Sequence, residues 1–264
     1  MADDVVGVIG GSGIYSLLDE AEPVIPSTPY GDPSDAIQVG RLGERRVAFL
    51  PRHGADHRFA PHVVPYRANM WALRSLGVRQ VVSLSAVGSL RADLPTGTLV
   101  APDQIVDRTH GRAHTYFDAA EGVAHVSFAD PYCPRGRAAA VSSSPALVDG
   151  GTLVVVNGPR FSSRAESKEF QHHGWSIIGM TAMPEAGLAR ELALCYTTLA
   201  LVTDLDAGVE AGEGVTHHAV LEEFAKNLPR LRALLLSTLT ALPTEQGDCV
   251  CGDTASLPTS FQLP

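Results

Sequence analysis

The chain has 264 residues, of which 45% are hydrophobic and 19% are charged, so it can bury one substantial core and has no composition typical of disorder. Its formal net charge of -9 argues against a surface that binds nucleic acid or an anionic membrane, because either partner would require an excess of basic side chains. No basic flank, cleavage-type segment or apolar run of about 20 residues occurs, which predicts a soluble, cytoplasmic protein.

Short apolar runs, many of them β-branched, recur along the chain and predict buried strands, each followed by a turn of small or polar residues. Between them, helices are predicted from about Tyr66 to Leu76, ended by Gly77, and from Pro184 to Leu194. The alternation indicates one α/β domain whose ligands bind beyond the carboxyl ends of the strands. The predicted strands are Val5 to Ile9, Val47 to Leu50, Gln80 to Ser85, Leu153 to Val156, Ser176 to Gly179 and Tyr196 to Val202.

The last strong element is a helix that begins after Thr216, a favourable N-cap, and carries apolar residues at helical spacing as far as Leu239. Pro229 lies inside this helix and predicts a kink. Beyond Leu242 the sequence is irregular and rich in Thr, Ser, Gly and Pro. We therefore divide the chain into a domain at residues 1–242 and a C-terminal tail at residues 243–264.

Four cysteines occur, at Cys133, Cys195, Cys249 and Cys251, and their number and spacing do not suggest a disulfide-stapled secreted fold. Cys249-Val-Cys251 could be a metal-binding or redox pair, but no second ligand pair follows at zinc-finger spacing. The simpler interpretation is a pair of thiols on a loose tail.

Several strand ends carry groups that suit an anion. Gly10-Gly11-Ser12-Gly13 offers backbone N–H groups and a hydroxyl group, although a tight structural turn explains it equally well. Arg52 and His53 add a guanidinium and an imidazole, which a solvated loop could also carry. Ser85-Ala86 and Thr181 supply donors at two further strand ends, and the convergence of four such ends favours a phosphate site.

Two carboxyl groups follow a later apolar strand, at Asp204 and Asp206. They could exchange or share a proton with a heterocycle, whereas an Asx turn or a calcium-like loop is the alternative, although no EF-hand pattern follows. No hydrolase elbow, H-E-x-x-H motif or Walker lysine loop occurs. The G-x-G-x-x-G register that starts at Gly11 has Ser16 in place of the third glycine, so a dinucleotide site has little support.

Taken together, these segments resemble the methylthioadenosine phosphorylase branch of the purine nucleoside phosphorylase family. The resemblance extends from Val5 to about Leu239, and the combination of PRFSSRAES, MT-x-x-PE and TD-x-D is highly specific. It implies a single-domain nucleoside phosphorylase fold with a mixed β-sheet flanked by α-helices. It also implies a homotrimer, with each active site near a subunit boundary, and no metal or organic cofactor, since inorganic phosphate is a co-substrate.

The resemblance also assigns roles to individual residues. Phe161 would stack on the base with Ser162 near it, and Met180 would pack against the ribose. Asp204 and Asp206, with Leu205 between them, match the segment that reads the purine, and His125 would reach into the neighbouring subunit's site. The phosphate positions match Ser12, Arg52, His53, Ser85, Ala86 and Thr181.

The implied reaction is phosphorolysis of 5′-methylthioadenosine to adenine and 5-methylthioribose 1-phosphate, in methionine and purine salvage. As the glycosidic bond lengthens, the purine gains negative charge, so an acid beside its five-membered ring stabilises departure. Asp206 or Asp204 is the candidate acid. Relatives selective for oxopurines tend to carry Asn at the first of these positions, so the pair present here favours adenine.

One position departs from the branch. Where methylthioadenosine enzymes usually present a small apolar residue against the methylthio group, this chain has His217. A histidine there favours a 5′-hydroxyl group, unless His217 faces water in the first helical turn. The alternatives are therefore a purine nucleoside phosphorylase for substrates such as adenosine or inosine and, from a different class, a non-catalytic nucleoside-binding protein.

Overall fold

A mixed sheet of eleven strands organises the chain. The computed structural model describes residues 5–11, 18–118, 122–209 and 214–264, and within these ranges five α-helices accompany the sheet. The strands are β1 (Val5–Gly10), β2 (Asp19–Val24), β3 (Ile37–Leu42), β4 (Arg45–Pro51), β5 (Gln80–Ser89), β6 (Leu99–Ala101), β7 (Gln104–Arg108), β8 (Leu147–Asp149), β9 (Thr152–Val156), β10 (Ile177–Gly179) and β11 (Cys195–Leu205). The helices are α1 (Tyr66–Ser75), α2 (Pro134–Ser143), α3 (Arg164–His172), α4 (Ala182–Glu191) and α5 (His217–Ala241).

Four parallel strands form the centre of the sheet. β4, β1, β5 and β11 lie side by side in that order and are parallel, so their carboxyl ends share one edge. β10 is antiparallel to β5 and meets it at Gly88 and Ser89. The residues that follow β10 therefore lie beside the last part of β5.

Both faces of β1 are covered, which explains its unbroken apolar run. Val5 and Ile9 pack with α1 and α4, whereas Val6 and Val8 pack with α2 and α5. A strand buried on both faces is apolar at successive positions, since side chains alternate between the two faces. This sandwiched position is what the sequence pattern predicted.

The predicted strands are present, most with ends one or two residues from the predicted ones, and β5 and β11 run furthest beyond their predicted carboxyl ends. β5 continues through Ala86-Val87-Gly88-Ser89, a segment that the sequence pattern assigned to a turn. The reason is that β11 pairs with β5 as far as Leu205 and Ser89, and such pairing from a distant segment outweighs local preference. The helix predicted from Pro184 to Leu194 instead spans Ala182 to Glu191.

α5 begins as predicted. The Thr216 hydroxyl oxygen accepts a hydrogen bond from the Ala219 N–H at 3.2 Å, and the apolar side of the helix, including Leu231 and Leu235, is fully buried. The helix is continuous past Pro229, so the predicted kink does not interrupt it. None of the helices in the described ranges is both long and apolar enough to cross a bilayer.

The C-terminal tail is irregular, as predicted, but it is not loose. The Gln246 side chain donates to the Ala193 carbonyl oxygen at 2.7 Å, and Phe261 packs on Phe117 with ring centroids 4.6 Å apart. Cys251 is buried. The expectation of two thiols on a loose tail is therefore wrong, because contacts with the domain hold a segment that has little regular structure of its own.

Candidate active site

A cavity of about 450 Å³ lies at the edge where the central parallel strands end. Its walls come from the loop after β4, the last part of β5, the loops after β9 and β10, the end of β11 and the first turn of α5. The structure brings together here most of the residues predicted to bind phosphate or nucleoside. These are Arg52, His53, Ser85, Ala86, Phe161, Ser162, Met180, Thr181, Asp204, Asp206 and His217.

Two predicted site residues within the described ranges, Leu205 and His125, do not line this cavity. Ser12 lies outside the described ranges. Leu205 is the last residue of β11 and does not line the cavity, whereas its neighbours Asp204 and Asp206 both do. His125 is exposed, and its predicted role in a neighbouring subunit's site stays a prediction.

Arg52 reaches the cavity from a buried ion pair. Its Nε donates to Glu185 Oε1 at 2.5 Å, and its side chain and that of Glu185 are 3% and 1% exposed. Further hydrogen bonds run from Nη1 to the Leu84 carbonyl oxygen at 3.0 Å and from Nη2 to Ser83 Oγ at 2.6 Å. Since Nη2 also donates to Glu185 Oε2, one N–H group of Nη1 has no acceptor among the described residues and is left for a ligand.

Glu185 was not singled out by sequence reasoning, although it lies in the MT-x-x-PE motif. Its Oε2 also accepts a hydrogen bond from the Tyr196 hydroxyl at 2.8 Å. Burial alone would lower the pKa of Arg52, but the charge of Glu185 and its hydrogen bond outweigh burial and raise the pKa. The guanidinium is thus a fixed, permanently charged group at the cavity wall.

His53 is held as a neutral imidazole. Its Nδ1 lies 2.8 Å from the Phe59 carbonyl oxygen, and because a carbonyl oxygen only accepts, Nδ1 carries the hydrogen. Burial, followed by the charge of Arg52, lowers the pKa of His53 to about 4. Nε2 is therefore an acceptor in the free protein, and a bound anion would raise the pKa by its opposite charge.

A β-bulge directs the acid pair. The pairing of β11 with β5 shifts register between Val202 and Asp204, so Thr203 is the extra residue and the strand bends locally. Asp204 then lies opposite Gly88, where an added Cβ would be 2.7 Å from Asp204 Oδ1. A glycine at this position of β5 is therefore what gives the carboxyl group its room.

Both carboxyl groups are unusually basic. Burial raises the pKa of Asp204 to about 6, a hydrogen bond from Thr203 opposes the rise, and the charge of Asp206 adds to it. Burial also raises the pKa of Asp206, and the nearby hydroxyl groups of Ser167 and Ser162 partly oppose it. A carboxyl group poised in this way can hold a proton near neutral pH and donate it to a ligand.

Three buried polar atoms on the cavity wall lack a hydrogen bond of good geometry within the described residues. They are Ser85 Oγ, Ser162 Oγ and Asp206 Oδ2, and the side chain of Asp206 belongs to a residue that is only 3% exposed. Unpaired buried polar atoms are rare and costly in folded proteins. Their presence at one cavity indicates a polar ligand that completes them.

Apolar side chains form the remaining wall. Phe161, Ile178 and Met180 all line the cavity. Gly158 has a φ of 61°, and a Cβ there would lie 2.6 Å from Met180 Sδ, so a glycine is required for this packing. An apolar slot beside convergent polar groups is the composition typical of a small-molecule site.

Comparison with known proteins identifies the class to which this fold and cavity belong. Residues 5–240 match the Phosphorylase superfamily, and the chain belongs to that family. Its mixed sheet and flanking helices are the nucleoside phosphorylase fold that the motifs implied.

Individual relatives show which members of the family are similar to this chain. The chain is 57% identical over 259 residues to the purine nucleoside phosphorylase of Streptomyces coelicolor, covering 94% of this chain and 92% of the relative. It is 54% identical over 261 residues to the S-methyl-5′-thioadenosine phosphorylase of Mycolicibacterium smegmatis, covering 98% and 100%. The solved methylthioadenosine phosphorylase of Schistosoma mansoni in complex with adenine superposes with a TM-score of 0.87 at 36% identity, covering 91% and 92%. These findings confirm the resemblance read from the motifs.

Proposed function

We propose that this chain catalyses the phosphorolysis of 5′-methylthioadenosine to adenine and 5-methylthioribose 1-phosphate, as a pentosyltransferase of methionine and purine salvage. The observation that carries the proposal is the cavity in which unpaired Ser85 and Asp206 atoms meet a fixed guanidinium. Relatives that match nearly the whole chain carry this activity in their names.

Phosphate binds at the end of the cavity formed by the loops after β4 and β10. There Arg52 offers a permanent charge and one N–H group, while the unpaired Ser85 hydroxyl and Thr181 offer further donors. Ala86 is the exposed position of a strand that is otherwise buried, and it lines the cavity, so a ligand can reach it. The charge and fixed donors orient the dianion for attack.

The acid pair serves the leaving purine. A phosphate oxygen forms a bond to C1′ while the bond from C1′ to the purine nitrogen breaks, and the bonding electrons pass to the purine. Asp206 or Asp204, each with a pKa that burial raises, donates a proton to the five-membered ring, and the second carboxyl group accepts from the exocyclic amine of adenine. Phosphate supplies the negative charge that stabilises the cationic sugar.

Other features of the protein follow from the same proposal. The reaction requires no metal or organic cofactor, since phosphate is the nucleophile. We expect a cytoplasmic homotrimer in which His125 of one subunit approaches the cavity of the next, and its exposed position is compatible with that role.

A second candidate is phosphorolysis of purine nucleosides with a 5′-hydroxyl group, such as adenosine or inosine. His217 is exposed to solvent yet lines the cavity together with Val220 from the next turn of α5. An imidazole in this position would donate to or accept from a hydroxyl group and would gain little from a thioether. The purine nucleoside phosphorylase from Streptomyces coelicolor supports this alternative.

The test is release of free base from 5′-methylthioadenosine, adenosine and inosine, each with and without phosphate. Phosphate-dependent release with the highest kcat/KM for 5′-methylthioadenosine supports the first proposal, and a higher value for adenosine or inosine supports the second. Binding of nucleoside without release of base would indicate a non-catalytic binding protein and would overturn both.

A further inference from the structure

The four cysteines converge on one point at the opposite end of β11 from the acid pair. Cys133 immediately precedes α2, Cys195 begins β11, and Cys249 and Cys251 flank the short turn around Val250 in the tail. All four Sγ atoms lie within 4.8 Å of one another. We call these four residues the thiol cluster.

The spacing of the sulfur atoms matches the coordination shell of a thiolate-bound metal. Tetrahedral Zn²⁺ at about 2.3 Å from each sulfur separates neighbouring sulfurs by about 3.8 Å. In the structure Cys195 Sγ and Cys249 Sγ are 3.4 Å apart, and Cys133 Sγ and Cys249 Sγ are 3.9 Å apart. An ion at the centre therefore needs only small side-chain movements.

The surroundings suit the negative charge that such a centre carries. Four thiolates around a divalent ion leave two negative charges, and the Arg190 guanidinium, itself 4% exposed, places Nη2 4.0 Å from Cys251 Sγ. Backbone N–H groups of Arg135 and Gly136, at the start of α2, lie near Cys133 Sγ. Donors placed around the ligands in this way orient the ligands of structural metal sites.

Burial and connectivity favour one ion over separate thiols or disulfides. Cys133, Cys195 and Cys251 are buried and Cys249 is half-buried, so the site is closed as structural zinc sites are. A disulfide joins two sulfurs at about 2.05 Å, whereas the sulfurs of Cys195 and Cys133 lie 3.4 Å and 3.9 Å from that of Cys249. The turn at Val250–Gly252 contains Cys251 and directly follows Cys249, so it keeps these two residues close together.

From this geometry we propose that the thiol cluster binds one Zn²⁺ ion through four thiolates and thereby fastens the C-terminal tail to α2 and β11. Binding releases the thiol protons to solvent. The site is structural, since nine residue steps along β11, roughly 30 Å at about 3.3 Å per residue, separate Cys195 from Asp204. The proposal is independent of the reaction at the cavity.

The test measures the zinc content of the protein and not its turnover. A negative result would therefore refute the zinc site without bearing on the proposed function. The full chain, expressed with added zinc and purified in reducing buffer without chelator, should contain about one zinc ion per chain by mass spectrometry of metals. Replacement with Co²⁺ should give the near-ultraviolet thiolate charge-transfer band and the red absorption of a tetrahedral cobalt site.

Variants locate the ion. Cys249→Ser combined with Cys251→Ser should lose the zinc, whereas Val250→Ala, at a position that is 57% exposed between them, should keep it. Retention of zinc by the double variant would overturn the proposal. If the double variant does not fold, the Co²⁺ spectrum of the unaltered chain decides alone, and absence of the tetrahedral thiolate bands refutes it.

A disulfide is the competing outcome. Intact mass under non-reducing conditions that falls by two hydrogens for each bond, without bound metal, would refute the zinc site. Four reactive thiols in metal-free protein that take up no added Zn²⁺ would refute it as well.

Discussion

The two ends of β11 hold groups of different character. At the carboxyl end, Asp204 and Asp206 line an open cavity, and Asp206 Oδ2 has no partner among the described residues. At the amino end, the Cys195 sulfur lies within a closed cluster of thiols. Unpaired polar atoms at the cavity suit a small molecule that binds and is released. Four thiols that surround one point suit a metal ion that stays bound.

The largest effect is expected at the carboxyl end. Asp206→Asn removes the first of the two candidate acids for the leaving purine, so kcat should fall by about 10²- to 10⁴-fold, while the affinity for phosphate stays nearly unchanged. Single-turnover release of adenine and equilibrium binding of phosphate measure the two quantities.

Asp93→Asn is the matched control, since that carboxyl group is 67% exposed and pairs only with Arg91 among the ion pairs described. Unchanged turnover in Asp206→Asn would show that the acid lies elsewhere.

Between the two ends, the buried ion pair of Arg52 and Glu185 should dominate stability. Glu185→Gln leaves the guanidinium without its buried counter-charge, and breaking such a pair costs about 3–5 kcal/mol in the free energy of unfolding. Urea denaturation measures it, with Glu44→Gln, whose side chain is fully exposed, as the control. Equal stability of the two variants would mean that Arg52 and Glu185 do not form a buried ion pair.

The pH dependence of stability isolates Asp204. Its pKa rises from 3.8 in the unfolded reference to about 6 when folded, so between these values the unfolded chain loses its proton first. The free energy of unfolding should therefore fall by about 2 kcal/mol as the pH rises from 4 toward 7, with partial exposure reducing the effect.

The amide side chain of Asp204→Asn cannot titrate, and groups that do not interact with Asp204 contribute equally to both proteins. The variant should thus gain stability relative to the unaltered chain as the pH rises, in urea denaturation at several pH values. A difference that is constant from pH 4 to pH 7 would contradict the raised pKa.

The smallest effect concerns the choice of substrate. His217→Val should shift the ratio of kcat/KM toward 5′-methylthioadenosine over adenosine by about tenfold, since an apolar wall favours the thioether. His218→Val is the control, because that neighbouring side chain is 82% exposed and pairs with Glu222. If both variants shift the ratio equally, His217 does not contact the 5′ group.

Much of the fold could be predicted from local pattern. The fully apolar Val5–Gly10 run, the Thr216 cap and the apolar stripe of α5 each depend on a period or a neighbouring residue. α3 was not predicted, although its capping box of Ser163 and Glu166 is a signal visible in the sequence. Strands β2, β3, β6, β7 and β8 were not predicted either, because their short or polar segments are strands only through pairing.

The candidate site could be predicted only in part. The rule that ligands lie beyond the carboxyl ends of strands predicted that Arg52, Ser85 and Thr181 would meet, and they share one cavity. The rule does not indicate which charge neutralises Arg52, and Glu185 comes from a helix 133 positions along the chain. His57 and Arg58 also line the cavity without having been assigned a role.

The sequence by itself determined the class of protein, the strand ends that carry donors and the pair of acids, since these depend on motifs and local periodicity. Only the tertiary structure decided that a bulge at Thr203 turns Asp204 toward the space over Gly88, and that four scattered cysteines surround one point. The physical reason is that register, burial and the meeting of distant side chains arise from pairing and packing between segments, which no local pattern encodes.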